Sequence, residues 1–238
     1  MKLMKWLIVA IVFLPTVPAQ AQSSISARAL AKKGMSLMSQ NKVDAAIESY
    51  TRAIELSPNY AEAYVNRGVA KRSKGDLAGA IEDYEKAASI DPKSVVGNRF
   101  VAQAYSNRGF IKLNALDVDD AIDDFTKAIN INPNEDGHYY RRGYARLIKE
   151  DLPEALDDLN KALSNVGQDN FSSKTLIYAT RGMVKLLQGK SLEAQMDFDE
   201  CVKLNKVEKF DLDSHLRSIE VEIMLMRERR AKQQKIIA

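Results

Sequence analysis

The 238-residue chain carries 35 Lys+Arg against 32 Asp+Glu and is 45% hydrophobic, 28% charged and only 7% aromatic. This supplies a sizeable apolar interior and excludes wholesale disorder, while a formal charge of +3 gives no strong bias toward nucleic acid or acidic membranes. One Cys excludes a disulfide framework, a Cys-rich zinc module and a CxxC redox pair, and two His residues 77 positions apart offer no paired metal ligands, so composition favours a helical binding protein over an enzyme.

Met1 to Lys5 holds two lysines, Trp6 to Leu14 is an unbroken apolar run, and Ala19-Gln20-Ala21 supplies the small residues that a signal peptidase reads. Residues 1–21 are therefore expected to be a cleavable secretory signal, cut after Ala21 and followed by a short lead at 22–26. Nine apolar residues in a helix span about 14 Å, against the roughly 30 Å of a hydrocarbon core, which argues against a membrane anchor. No Cys follows the run to carry a lipid. The expected location is the periplasm or the secreted space.

Self-similarity governs the rest. An Arg-Gly or Lys-Gly pair recurs at Gly34, Gly68, Gly109, Gly143 and Gly182, at spacings of 34, 41, 34 and 39 residues. Each glycine is followed after twelve residues by Ala46, Ala80, Ala121, Ala155 or Ala194. Four further on stands Tyr50, Tyr84, Phe125, Leu159 or Phe198, and three beyond that Ala53, Ala87, Ala128, Ala162 or Cys201. Prolines close three units at Pro58, Pro92 and Pro133. Missing side chains at the glycine and the first alanine let two antiparallel helices cross closely, the large residue fills the space beside the crossing, and proline ends the second helix. Such a hairpin cannot bury its apolar face alone, so copies stack.

The pattern resembles the tetratricopeptide repeat, with units at 27–60, 61–94, 102–135, 136–169 and 175–204. The resemblance implies an all-α, right-handed α-α superhelix whose first (A) helices line a concave face. Residues 95–101 and 170–174 are insertions that either lengthen a helix or form a loop. In 205–238, Leu216, Ile219, Ile223 and Met226 recur on one helical face, expected to cap the last hairpin, with a basic tail beyond.

The family usually has an apolar residue at position 7 and an aromatic at 11. Here those positions hold Arg67 and Lys71, Arg108 and Lys112, Arg142 and Arg146, and Arg181 and Lys185. In the B helices positions 22 and 23 hold Glu82-Asp83, Asp123-Asp124, Asp157-Asp158 and Met196-Asp197, whereas the first unit has Lys33 and Leu37 with Glu48 and Ser49 and so lacks one base and one acid together. Pairing within or between repeats is expected, with charged heads near solvent; a phosphate-binding stripe is the alternative.

The resemblance places Asn66, Val69, Asn107, Phe110, Tyr140, Arg141, Tyr144 and Met183 on the concave face, as candidate peptide-binding residues. Primary amides can both donate to and accept from a peptide backbone. The alternative is that these side chains pack against adjacent helices or against the C-terminal helix folded into the groove. Chaperone-adaptor members of the family clamp a terminal carboxylate with a set of bases and amides that is matched here only at Asn66. No catalytic constellation stands out: Cys201 reads as a small buried hydrophobe, and His138 as a groove-edge side chain. The expected function is that of an exported scaffold holding an extended peptide or helix of an envelope protein, without cofactor, metal or nucleic acid and with self-association open. The alternative is a holdase for unfolded exported chains.

Overall fold

The computed structural model describes residues 19–204 and 211–237; the apolar run at 6–14 lies outside the described residues. Ten helices pair into five antiparallel hairpins: α1 (Ala19–Ser39) with α2 (Val43–Leu56), α3 (Ala61–Ser73) with α4 (Leu77–Ile90), α5 (Arg99–Asn114) with α6 (Val118–Ile131), α7 (Asp136–Lys149) with α8 (Leu152–Asn165), and α9 (Phe171–Leu187) with α10 (Ser191–Leu204). A last helix, α11 (Leu212–Ile237), follows. The expected cut after Ala21 falls in the first turn of α1. Among the described residues no helix is long and apolar enough to cross a membrane.

The glycine signature works as a contact rule. A Cβ on Gly34, Gly68 or Gly182 would lie 2.5, 2.5 or 2.4 Å from the ring of Tyr50, Tyr84 or Phe198. Only hydrogen lets the ring lie flat on the A helix, and the alanine before it has no exposed surface at Ala46 or Ala80. The residues ahead of the three prolines, Ser57, Asp91 and Asn132, are extended (φ −144°, −144° and −133°), the conformation that proline imposes on its predecessor, and each ends its B helix. The A-to-B turns repeat one left-handed residue: Asn41, Gly75, Leu116, Glu150 and Gly189.

Both insertions lengthen A helices. Residues 95–98 link a short 3-10 turn (Pro92–Ser94) to α5, which Asn98 caps by accepting from the Phe100 and Val101 amides; Asn170 caps α9 through the Ser173 amide. Two apolar cores result. One runs from α1 into the first half of α5 and takes in Ala128 and Ile131 of α6, the other from the end of α5 to α11.

One expectation is corrected. The stripe on α11 is buried, with Ile219, Ile223 and Met226 at 0, 5 and 8% exposure, but it packs on α7 and α9, the alternative given for this helix, instead of covering the free end of the last hairpin. The complementary apolar surface is on those two A helices, at Leu147, Ile177 and Met183, whereas Leu192 and Met196 on α10 remain 85 and 68% exposed.

Candidate functional site: the inner wall of the array

Each A helix packs on the next A helix, while successive B helices make no comparable contact. The stack therefore curves with its A helices inside. α11, which touches α7 and α9, lies on this inner side.

Directly behind the wall is a repeating charge network. Arg67, Arg108, Arg142 and Arg181 each grip the Asp sixteen residues later with two hydrogen bonds, at 2.9 and 2.7, 2.8 and 2.7, 2.9 and 2.7, and 2.9 and 2.6 Å. The same carboxylate takes the base one turn further on, Lys71, Lys112, Arg146 or Lys185, at 2.7 to 3.0 Å. One acid between two cations turns an i,i+4 repulsion into a bridge. Each arginine also reaches the preceding B helix: Thr51, Glu85, Thr126 and Asn160 accept in turn, all at the same repeat position. Each lies over the Tyr three residues before it, Tyr64, Tyr105, Tyr139 or Tyr178, at 5.3 to 5.9 Å from the ring centre. In the first unit Ser49 replaces the acid and donates to the Leu30 carbonyl.

The carboxylates are not near solvent as expected: Asp83, Asp124, Asp158 and Asp197 are 1 to 4% exposed. Burial raises the Asp124 pKa, but hydrogen bonds from Arg108 and Lys112 outweigh it and hold the group below its ordinary value. These bases are thereby directed inward to buried carboxylates, which disfavours a phosphate stripe along them. Removing one partner of such a buried pair costs roughly 3–5 kcal/mol.

The inner wall divides into two halves. In the first, Asn66 and Val69 are half-buried, Met35 and Phe110 are 56 and 49% exposed, and Asn107 accepts a 2.7 Å hydrogen bond from Gln103. In the second, α11 lies over the candidate residues. Tyr144 donates to Glu222 (3.1 Å), Thr180 lies 3.3 Å from His215, and Met183 is 2% exposed. Arg227 grips Glu150 with two hydrogen bonds, and Arg229 donates to Asp117 and the Ala115 carbonyl. Tyr140, Tyr144 and Met183 thus belong to the seat of α11, while Asn66, Val69, Asn107 and Phe110 face the uncovered half.

Arg141 marks the border, donating to the buried Ser106 hydroxyl (2.8 Å) with its guanidinium 5.7 Å from the Phe110 ring centre. An open-sided cavity of about 400 Å³ sits there between Phe110, Tyr140, Tyr144 and the α11 residues His215 and Glu222. Burial raises the Tyr144 and Glu222 pKa values and lowers that of His215.

His138 is 3% exposed instead of standing at the groove edge, and burial, with Arg141 beside it, lowers its pKa to about 4, so it is neutral at pH 7. Cys201 is fully buried, and its thiol is pushed up to about 11 by burial. No three metal-ligating side chains cluster among the described residues. Sequence reasoning missed Glu222 and His215, which mean nothing until α11 is seated. It also missed Arg72, Arg99 and Phe100 on the uncovered half.

These features define an α-α solenoid of helix hairpins with a partly filled inner wall. The tetratricopeptide repeat family model matches residues 31–95 and again residues 102–135. The chain belongs to the tetratricopeptide repeat family, and its fourth and fifth hairpins repeat the glycine-to-large-residue contact at Gly143 and Gly182. No curated protein matches it. Among solved structures it is similar to YrrB, described as a TPR protein with an unusual peptide-binding site, at 18% identity and a TM-score of 0.57 over 79% of this chain and 90% of that one. MamA of AMB-1 aligns at 18% identity and 0.56 over 81 and 97%, and MamA of Desulfovibrio magneticus RS-1 at 16% and 0.53 over 78 and 98%. At these identities the likeness is one of fold.

Proposed function

We propose that the protein is an exported interaction scaffold that holds a segment of an envelope protein on the first half of its inner wall. The observation that carries this reading is the contrast within the wall: three A helices present amides and apolar side chains at Asn66, Asn107, Met35 and Phe110, next to a half that already holds a helix. An ordered wall gains affinity because little of it must be fixed on binding. The peptide-binding site ascribed to YrrB supports the use of this fold for such a segment. Export rests on the leader at 1–21.

A photo-crosslinking residue placed at Phe110 in living cells tests both parts. One dominant envelope adduct is expected, absent when the crosslinker stands at Glu82 on a B helix and weakened by Asn66→Ala with Asn107→Ala. A spread of unrelated adducts would identify a holdase instead, and a mature mass retaining residues 1–21 would remove the export reading.

A further inference from the structure

Two groups of arginines on the A helices stand in contrast. Those at repeat position 7 are consumed by buried aspartates. Arg72, Arg99 and Arg141, on the uncovered half of the inner wall, have no carboxylate within salt-bridge distance among the described residues. Arg72 and Arg99 flank the Phe100 ring at 5.0 and 4.8 Å from its centre. The Arg72 Nε is shielded from solvent and lies beside the buried Tyr84 hydroxyl, which leaves the rest of the guanidinium toward Phe100. A cavity of about 240 Å³ joins Arg72, Arg99, Phe100, Gln103 and His138 with a single acid, Glu135. His138 stays neutral at pH 7, so it neither adds to nor cancels the charge. Arg141 continues the line toward Phe110 and is partly desolvated, which holds its guanidinium below the ordinary arginine range.

The 95–101 insertion builds this strip. By adding a turn to α5 it sets Arg99 and Phe100 one and two turns ahead of Gln103 and Asn107, on a stretch that repeats of regular length lack. From this arrangement we infer that the uncovered half recognises an acidic peptide segment carrying aromatic or aliphatic side chains, its carboxylates meeting Arg72, Arg99 and Arg141 and its apolar groups packing on Phe100 and Phe110. The inference rests on the reading of this wall as a protein-binding surface and specifies the partner's chemistry. Three separated cations among apolar rings and amides suit interspersed acids, whereas a nucleic acid requires a continuous basic track along its backbone.

The test uses the full chain and fluorescence anisotropy with a labelled dodecapeptide of sequence (Asp-Leu-Glu-Phe)₃, its amide counterpart (Asn-Leu-Gln-Phe)₃ and a labelled dodecathymidylate. At about 50 mM salt, where screening leaves such contacts strong, the acidic peptide is expected to bind at least about tenfold tighter than the amide. Arg72→Gln with Arg99→Gln should reduce that ratio to within about threefold and leave amide binding unchanged. The same substitution at exposed Arg52, paired with Glu48 elsewhere, should leave the ratio intact. Equal binding of the two peptides overturns the inference and leaves the groove reading standing; no binding of either overturns both. Dodecathymidylate binding as tight as the acidic peptide, or an equal loss with Arg52→Gln, also overturns it.

Discussion

The two halves of the inner wall are built on one scaffold and end in opposite states. Both have the glycine crossings and the buried arginine-aspartate grip, yet Phe110 is 49% exposed where Tyr144, its counterpart one repeat on, is half-buried and donates to Glu222 of α11. The residues that make a repeat stack are therefore separate from those that decide what lies against it. Stacking resides behind the wall, at positions 7, 8, 20, 23 and 24; occupancy resides on it, where one half carries Tyr140, Tyr144 and Met183 and the other carries amides and unpaired arginines.

The strongest way to break this comparison is to empty the covered half. Ile219 and Ile223 are 0 and 5% exposed, and each Ile→Ala change removes roughly 2–5 kcal/mol at a packed site. The pair share a seat, so their effects need not add. With Ile219→Ala and Ile223→Ala together, α11 should leave the wall. Amide hydrogen exchange should then rise in α7 and α9 while α1 to α4, whose core is separate, keep their protection. An equal rise along the whole array would mean that the two halves are one cooperative unit.

Hairpins, their order and the glycine crossings were legible in the sequence because each rests on local spacing repeated five times. The pairing of bases with acids was also legible, since the unit missing a base at Leu37 misses its acid at Ser49. Its burial was not, because the depth of Asp124 depends on how two helices and the preceding repeat enclose it. The destination of α11 was hidden for a related reason. Leu216, Ile219, Ile223 and Met226 state that a helix has an apolar face, but nothing in that spacing says whether the face meets α10 or the inner wall. Arg99 and Phe100 escaped notice because they stand in an insertion, where repeat positions assign no side.

A middle-sized effect compares the crossings themselves. A Cβ at Gly68 would meet the rigid Tyr84 ring at 2.5 Å, whereas at Gly143 the nearest atoms are the Leu159 side chain at 3.1 Å and the Ala155 carbonyl and Asp158 Cβ at 3.2 Å. Overpacking costs typically about 1–3 kcal/mol, against which alanine gains nearly 1 kcal/mol over glycine inside a helix. Gly68→Ala should therefore lose up to about 2 kcal/mol in chemical denaturation and Gly143→Ala, whose contacts are longer, clearly less. Equal losses would show that backbone approach, and not the ring, limits both crossings.

The smallest effect concerns the charge beneath α11. Burial raises the Glu222 pKa above its ordinary 4.5, with the Tyr144 hydrogen bond opposing, so the stability it lends is present at low pH and is lost as pH rises through the raised value. Burial lowers the His215 pKa below its ordinary 6.5, so its contribution is present at neutral pH and is lost as pH falls through the lowered value. The two groups oppose each other under the same helix. Glu222→Gln keeps an acceptor for Tyr144 and removes the buried charge. It should stabilise the protein at pH 7 by at most about 1 kcal/mol, since the carboxylate is only half-buried and water screens it. With the acid gone, His215 acts alone, and thermal stability should fall more steeply on acidification below about pH 6.5 than in the unaltered protein. A loss of stability at pH 7 would mean that Tyr144 favours the charged carboxylate by more than burial disfavours it, and that α11 is held at this point by a charge-assisted bond rather than by its apolar stripe alone.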